Sequence, residues 1–264
     1  MAGRDAGPGV QRRDQPEPAP DIRTSLPPMS LLIFQHHRDE DAAVLGSVLA
    51  HHGHRLRTVR LDLGQQVPVD FDDIDGVVAL GGSMAPSDSG AAPWLEAQMD
   101  ALRRAHVGGL PVVGIGLGAQ VLAVALGGKV ESGATPQVGW SCVRLAFAGT
   151  TDPIFGGIRS ESIQFHRRRQ QISEPPGGAA VLAGSEHCRV EAFKVGFRTY
   201  GIQYHFEWTQ AHLERVCRAP FVAEAGFVAE KILGEAPNYE ESYLRLGRRL
   251  AQNIVTLLFP FDKR

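Results

Sequence analysis

The stretch from Pro111 to Gly128, PVVGIGLGAQVLAVALGG, constrains the fold more than any other part of the chain. A short apolar run ends at Ile115, glycines stand at 114, 116 and 118, and an apolar, alanine-rich segment follows at once. Glycines at alternate positions let backbone pass close to backbone and allow a positive φ, so the pattern reads as a buried strand turning sharply into a helix. Such an elbow lifts its apex residue, here Gly116, above the sheet and beside the helix N-terminus. Phosphate-cradling turns share part of this spacing, but they carry G-x-G-x-x-G or a lysine after the last glycine, and neither occurs here.

Around the elbow, short apolar runs alternate with helical patterns. Strands are expected at 31–34, 57–61, 76–80 and 111–115, with helices over about 39–52, about 92–106 and onward from Gly118. Strands that alternate with helices imply an α/β fold with a central, mostly parallel sheet flanked by helices. Beyond Gly128 the texture turns β-rich, with strands expected at 138–147, 162–165, 179–184, 189–195 and 199–204. The last fifty-odd residues, about 209–264, read as helical. Residues 1–28 hold six prolines and almost no bulky apolar side chains. They cannot bury enough surface to offset ordering entropy, so a disordered tail is expected there. Residues 29–264 are then expected to form one domain that includes the helical extension.

Bulk properties narrow the function classes. With 264 residues, 43% of them hydrophobic, the chain can bury a sizeable core. A net charge of -2 gives no reason to expect nucleic acid or an anionic membrane as partner. No apolar run approaches the roughly 18 residues of a membrane helix. Three cysteines, Cys142, Cys188 and Cys217, are too few and too scattered for a disulfide framework or a zinc site, which fits a reducing, cytoplasmic setting. Nothing calls for a cofactor or a metal. The histidine pairs in QHHRDED (35–41) and HHGH (51–54) fall where a helix is expected to end at Gly53, so His51 and His52 read as favourable charges at a helix C-terminus rather than ligands.

Two further segments give the elbow a chemical context. VVALGGSMAPSD (77–88) is a buried strand ending in Gly81 and Gly82, whose N–H groups could face the elbow as oxyanion donors. TYGIQYHFEWT (199–209) carries His205 and Glu207 two positions apart on a strand, so both side chains leave on the same side and the carboxylate can orient the imidazole. With LGGSM at 80–84, GIGLGAQ at 114–120, ALGGKV at 125–130, VGW at 138–140 and GIQYHFE at 201–207, the chain resembles the class I glutamine amidotransferases. Within them it is most similar to stand-alone members related to the amidotransferase domain of GMP synthase. The resemblance runs from Met29 to about Thr209 and implies a flavodoxin-like α/β fold. It also implies a Cys-His-Glu triad that releases ammonia from glutamine through a thioester, with an oxyanion hole of backbone amides. Carried over by position, His205 matches the base, Glu207 its orienting acid, Gly82 and the N–H of Leu117 the oxyanion donors, and Gln120 a residue lining the glutamine pocket. The nucleophile position falls on Gly116.

That departure predicts loss of glutaminase activity, because no covalent intermediate forms without a thiolate. None of the three cysteines occupies a motif position. A second departure lies in ESIQFHRRRQQISEPP (161–176): the family has an acid two residues after the His that matches His166, and Arg168 stands there instead. The run Arg167–Arg169 reads either as a solvated surface turn or as a pocket altered to take an anion. A third departure puts Phe206 where the family has proline, adding bulk beside the pocket. The reading is therefore an amidotransferase-like protein without glutaminase activity, serving in binding or regulation, with a glutamine-like or anionic small ligand, a protein partner or a second copy of itself. The alternatives are a hydrolase or transferase using His205 and Glu207 with water or Ser83 on another substrate, and a purely structural interaction protein.

Overall fold

The computed structural model describes residues 30–87, 90 and 92–260 together with Gly3. The expected disordered tail, and Met29 as the start of the folded unit, therefore lie outside the described residues. Among the described residues nine strands form one sheet in the order β2-β1-β3-β4-β9-β8-β7-β5-β6. The first five strands in this order are β2 (Arg55–Arg60), β1 (Ser30–Gln35), β3 (Ile74–Ala79), β4 (Val112–Ile115) and β9 (Thr199–Ile202), and each pairs parallel with its neighbour. From β9 onward, β8 (Ala192–Val195), β7 (Ala180–Ser185), β5 (Lys129–Leu145) and β6 (Glu161–Glu174) pair antiparallel. The parallel half expected from the alternating pattern and the β-rich second half thus share one sheet, joined at β9.

Alternation along the central strands sends their side chains into two separate cores. Leu31 and Ile33 of β1, with Val78 and Val113, pack beneath α1 (Ala43–His51) and α7 (Ala229–Leu258) through Leu45, Leu49, Leu250 and Ile254. Leu32 and Phe34, with Val77 and Val112, face α2 (Trp94–Val107) and α3 (Leu117–Ala125). Burial on both faces explains why these strands read as continuous apolar runs. A third cluster, with Phe165, Trp208, Phe221 and Tyr243, lies against the β5–β6 hairpin, where α5 (Gln210–Cys217), α6 (Pro220–Glu224) and α7 cover it; α4 (Phe147–Thr151) closes the turn after β5. Among the described residues no helix is long and apolar enough to cross a membrane.

Helix α3 sits unusually close to the strands beneath it. A Cβ on Gly118 would lie 2.0 Å from the Ala79 carbonyl oxygen, and one on Gly114 would lie 2.6 Å from that of Gly118. Both neighbours are backbone atoms and have nowhere to retreat. Gly118→Ala is expected to cost about 1–3 kcal/mol or more through overpacking. In contrast, Gly234→Ala, in an open position of α7, is expected to stabilise by about 0.5–1 kcal/mol; urea denaturation of both variants checks the pair.

Candidate functional site

The expected elbow is present. Gly116 ends β4 and caps α3 with φ 55° and ψ -118°, in the left-handed region that favours glycine. Its N–H donates to Ile202 O (2.9 Å), tying the apex to the end of β9. The direction a side chain would take from this apex is unambiguous: a Cβ on Gly116 would lie 2.8 Å from His205 Cε1, 3.0 Å from His205 Nε2 and 3.4 Å from Gly81 Cα. Three segments far apart in sequence, those carrying Gly81, Gly116 and His205, therefore meet at one point.

His205 is held on every side. Its Nδ1 lies 2.8 Å from Glu207 Oε1. With a carboxylate at Nδ1, that nitrogen carries the proton and Nε2 is left as the basic atom, on the side facing the apex. Trp208 stacks on the imidazole, ring centroids 3.5 Å apart and 10° from parallel. The His205 N–H donates to Phe165 O (2.9 Å), and the Tyr243 hydroxyl donates to His205 O (2.7 Å). His205 and Glu207 lie beyond the end of β9 at Ile202 rather than on the expected strand, in a segment bridged to Phe165 at His205, and Phe206 lies between them. Rather than adding bulk beside the pocket, it is buried in the core that α1 and α7 cover.

The glycine loop after β3 closes the other wall. Among the described residues, the N–H groups of Gly82 and Leu117 have no hydrogen-bond acceptor, so both remain open as donors. His36 fixes the loop: its Nδ1 donates to Gly81 O (2.8 Å), and its Nε2 faces the Gln98 amide at 3.0 Å. Burial lowers the His36 pKa, against the raising effect of these bonds. Glu40, which sequence reasoning passed over within the QHHRDED run, is also buried here. One of its oxygens takes the Arg167 guanidinium, while Oε2 has no partner and would lie 2.8 Å from a Cβ on Gly81.

The arginine triplet lies on β6, not in a solvated turn, and alternation divides it. Arg168 points with His166 towards Glu191: Arg168 Nη1 and Nη2 donate to the two Glu191 oxygens at 2.8 and 2.7 Å, and Nη2 also to Gln137. Ser185 Oγ donates to the same carboxylate (2.7 Å), and His166 Nε2 lies 3.3 Å from it without hydrogen-bond geometry. Burial opposes ionisation of Glu191, but the nearby His166 and Arg168 outweigh it and hold the carboxyl well below its usual range. Burial lowers the His166 pKa. Arg168 is thus neutralised within the protein and is not a free anion receptor. Arg167 and Arg169 leave on the other side, their guanidinium carbons each 4.8 Å from the centroid of the Phe221 ring.

The fold that carries this arrangement of an elbow, a His-Glu pair and a glycine loop has counterparts. Residues 43–220 match the glutamine amidotransferase class-I family. The chain belongs to that family. A subunit of the glutamine-hydrolysing GMP synthase of Natronomonas pharaonis is 31% identical over 169 residues, 62% of this chain and 84% of that protein. The match to the GMP synthase of Pyrobaculum aerophilum, 30% identical over 159 residues, spans only 29% of that longer protein. Solved glutamine amidotransferases from Thermotoga maritima (TM-score 0.76, 21% identity, 86% of this chain and 98% of that one) and Methylobacillus flagellatus (0.77, 23%, 89% and 98%) share the fold.

Against the class I amidotransferase pattern, other expected residues are placed as follows. Gln120 is buried and committed to the scaffold, with Nε2 donating to Gln170 O (2.8 Å) and Gln203 Oε1 (3.2 Å). Cys188 and Cys217 are buried with thiol pKa values raised by burial, that of Cys217 to about 11. Cys142 is half-buried on β5. Ser83 is exposed and makes no hydrogen bond to His205 among the described residues. Of two clefts, about 850 Å³ and about 390 Å³, neither is lined by His205, Glu207, Gln120 or Phe206; the first takes Ser83 and Arg167, the second Arg168. Trp208 adjoins Glu207 in the same motif, so a stacking partner for the imidazole could have been sought there. Glu191 carried no such signal, lying 23 residues from the arginine it binds.

Glu191→Gln leaves the Arg168 charge buried and uncompensated, with an expected cost of about 3–5 kcal/mol in urea denaturation, much of it recovered when Arg168→Met is added. The depressed Glu191 pKa contributes stability that is fully present above its ordinary value of 4.5 and lost as pH falls below it, so the variant should also flatten the acid limb of stability against pH.

Proposed function

We propose that this class I amidotransferase chain does not release ammonia from glutamine and serves as a binding or regulatory protein built on residues 29–264 as one domain. The observation that carries this reading is the apex itself: a glycine faces the imidazole of His205, with no room for a Cβ beyond 2.8 Å from the ring. Glutamine hydrolysis through a thioester needs an atom that attacks the amide carbon and leaves again. His205 and Glu207 can take and hold a proton, and the Gly82 and Leu117 N–H groups can receive an oxyanion, but none of them forms that bond. Groups that act as a unit lose nearly all their effect when the nucleophile goes. The contacts of Gln120 and Arg168 support the same reading, since both stand at positions expected to line the glutamine pocket and both are engaged inside the protein.

Relatives named as GMP synthase subunits bring a protein partner into the proposal. Such a partner would give a non-hydrolysing chain a regulatory surface to act on, and the chain itself would supply ligand binding.

Ammonia release from glutamine is the direct test. The unmodified protein is expected to give none above background. Gly116→Cys is also expected to give none, because its Cβ drives into a ring fixed by Glu207 and Trp208, and it is expected to lose about 1–3 kcal/mol from a side chain at positive φ. Ammonia release by the unmodified protein overturns the proposal.

A further inference from the structure

Because Arg167 and Arg169 leave β6 on the same side, they open onto a cleft of about 850 Å³ that none of the chemistry above uses. Arg38 and Asp39 enter from the loop after β1, Arg215 from α5 and Arg218 from the turn that follows it, with Phe221 and Glu224 of α6 opposite. The lining thus holds five guanidinium groups and two carboxylates, an excess of three positive charges on a chain whose net charge is -2. Glu40 and Glu230, outside the lining, meet Arg167 and Arg218, and Glu224 meets Arg169 at 3.0 Å. Arg38 and Arg215 are left to share Asp39, at 3.6 and 3.8 Å. Among the described residues neither of those two guanidiniums donates a hydrogen bond to the protein. Arg167, a buried side chain in this wall, also keeps an unpartnered Nε.

We propose that this cleft binds a small molecule carrying two or more phosphate or carboxylate groups. Guanidinium groups recognise such oxygens in pairs, and exposed ion pairs such as those of Asp39 and Glu224 are weak enough to yield to a ligand. Donors arriving from the β1 loop, β6 and α5 suit an anion with more than one acidic group. The volume falls in the range of small-molecule sites, and the net negative chain disfavours a long polyanion. The cleft also adjoins the elbow site, because Ser83 of the glycine loop lines it and Arg167 holds the Glu40 carboxylate over Gly81. A ligand of this class would serve the binding role proposed above, and its assignment rests on that reading.

Isothermal titration calorimetry at low ionic strength, with inorganic pyrophosphate and citrate as probes, tests it. Pyrophosphate, citrate or both should bind at one saturable site per chain, the preference separating phosphate from carboxylate recognition, and added salt should weaken the binding. Arg38→Ala with Arg215→Ala removes two exposed side chains (78% and 44% accessible), so the fold should persist while affinity falls about tenfold or more. Arg57→Ala, on the opposite edge strand β2, should leave affinity unchanged. Absence of saturable binding for both probes, or equal weakening by Arg57→Ala and the double variant, overturns the inference. Ammonia release from a chain that binds pyrophosphate as described would overturn the proposed function and leave the cleft assignment standing.

Discussion

The seat of α3 on the parallel strands governs where everything else in the site can be. Gly118 lies with its Cα against the Ala79 carbonyl, and its N–H donates to Leu80 O at 2.9 Å. Backbone touching backbone allows neither sliding nor rotation, because no side chain is present to adjust. The apex at Gly116 is therefore fixed over the ends of β4 and β9, and the chain leaving β9 must pass it within three residues, at His205. The chain leaving β3 passes on the other side, at Gly81. Open parallel sheets collect their functional groups beyond the carboxyl ends of the strands, and here the glycine spacing of one short segment decides where on that edge they gather.

Much of this was legible because it is local. The elbow depends on glycines two residues apart, and the strands on apolar runs bounded by turns. The His205–Glu207 pair follows from a two-residue spacing, although β9 ends at Ile202 and both residues lie just beyond it. The same rule, applied to Phe206, would have sent it away from the site and into the core, where it lies. The arginine triplet was ambiguous for a different reason. A run of three charges looks solvated unless its counter-charges are known, and these lie far off: Glu191 is 23 residues from Arg168, and Glu40 is 127 from Arg167. Nor does composition announce that β6 is 14 residues long, since its polar residues are held in a strand by the 17-residue partner β5.

Those distant pairs add little to net stability. Desolvating two carboxylates and two guanidiniums costs about as much as the pairing returns. Their value lies in what a mistake would cost. Loss of either partner would leave the other charge buried and unmet, whereas the alignment of β6 is set by its apolar positions, since a slip by one residue would take Phe165 out of the cluster with Trp208 and Tyr243. The strand that supplies Phe165 O to the His205 backbone is thereby held in a single alignment.

The position of His205 follows from the same economy of contacts. Its ring is set by Glu207 at Nδ1, by the face of Trp208 and by two hydrogen bonds of its backbone, one donated to Phe165 O and one accepted from the Tyr243 hydroxyl, and none of these involves residue 116. The imidazole is held where it stands without any side chain at the apex, and a Cβ there could be admitted only by shifting the ring. Glycine at φ 55° removes the strain that a Cβ would bring to the elbow. The fold thus has no physical need for a nucleophile in order to keep the shape of a site for one, and geometry that persists for structural reasons is no measure of chemistry. What the chain does with the neighbouring charges, chiefly the guanidinium groups that open onto solvent beside that site, is the more informative quantity.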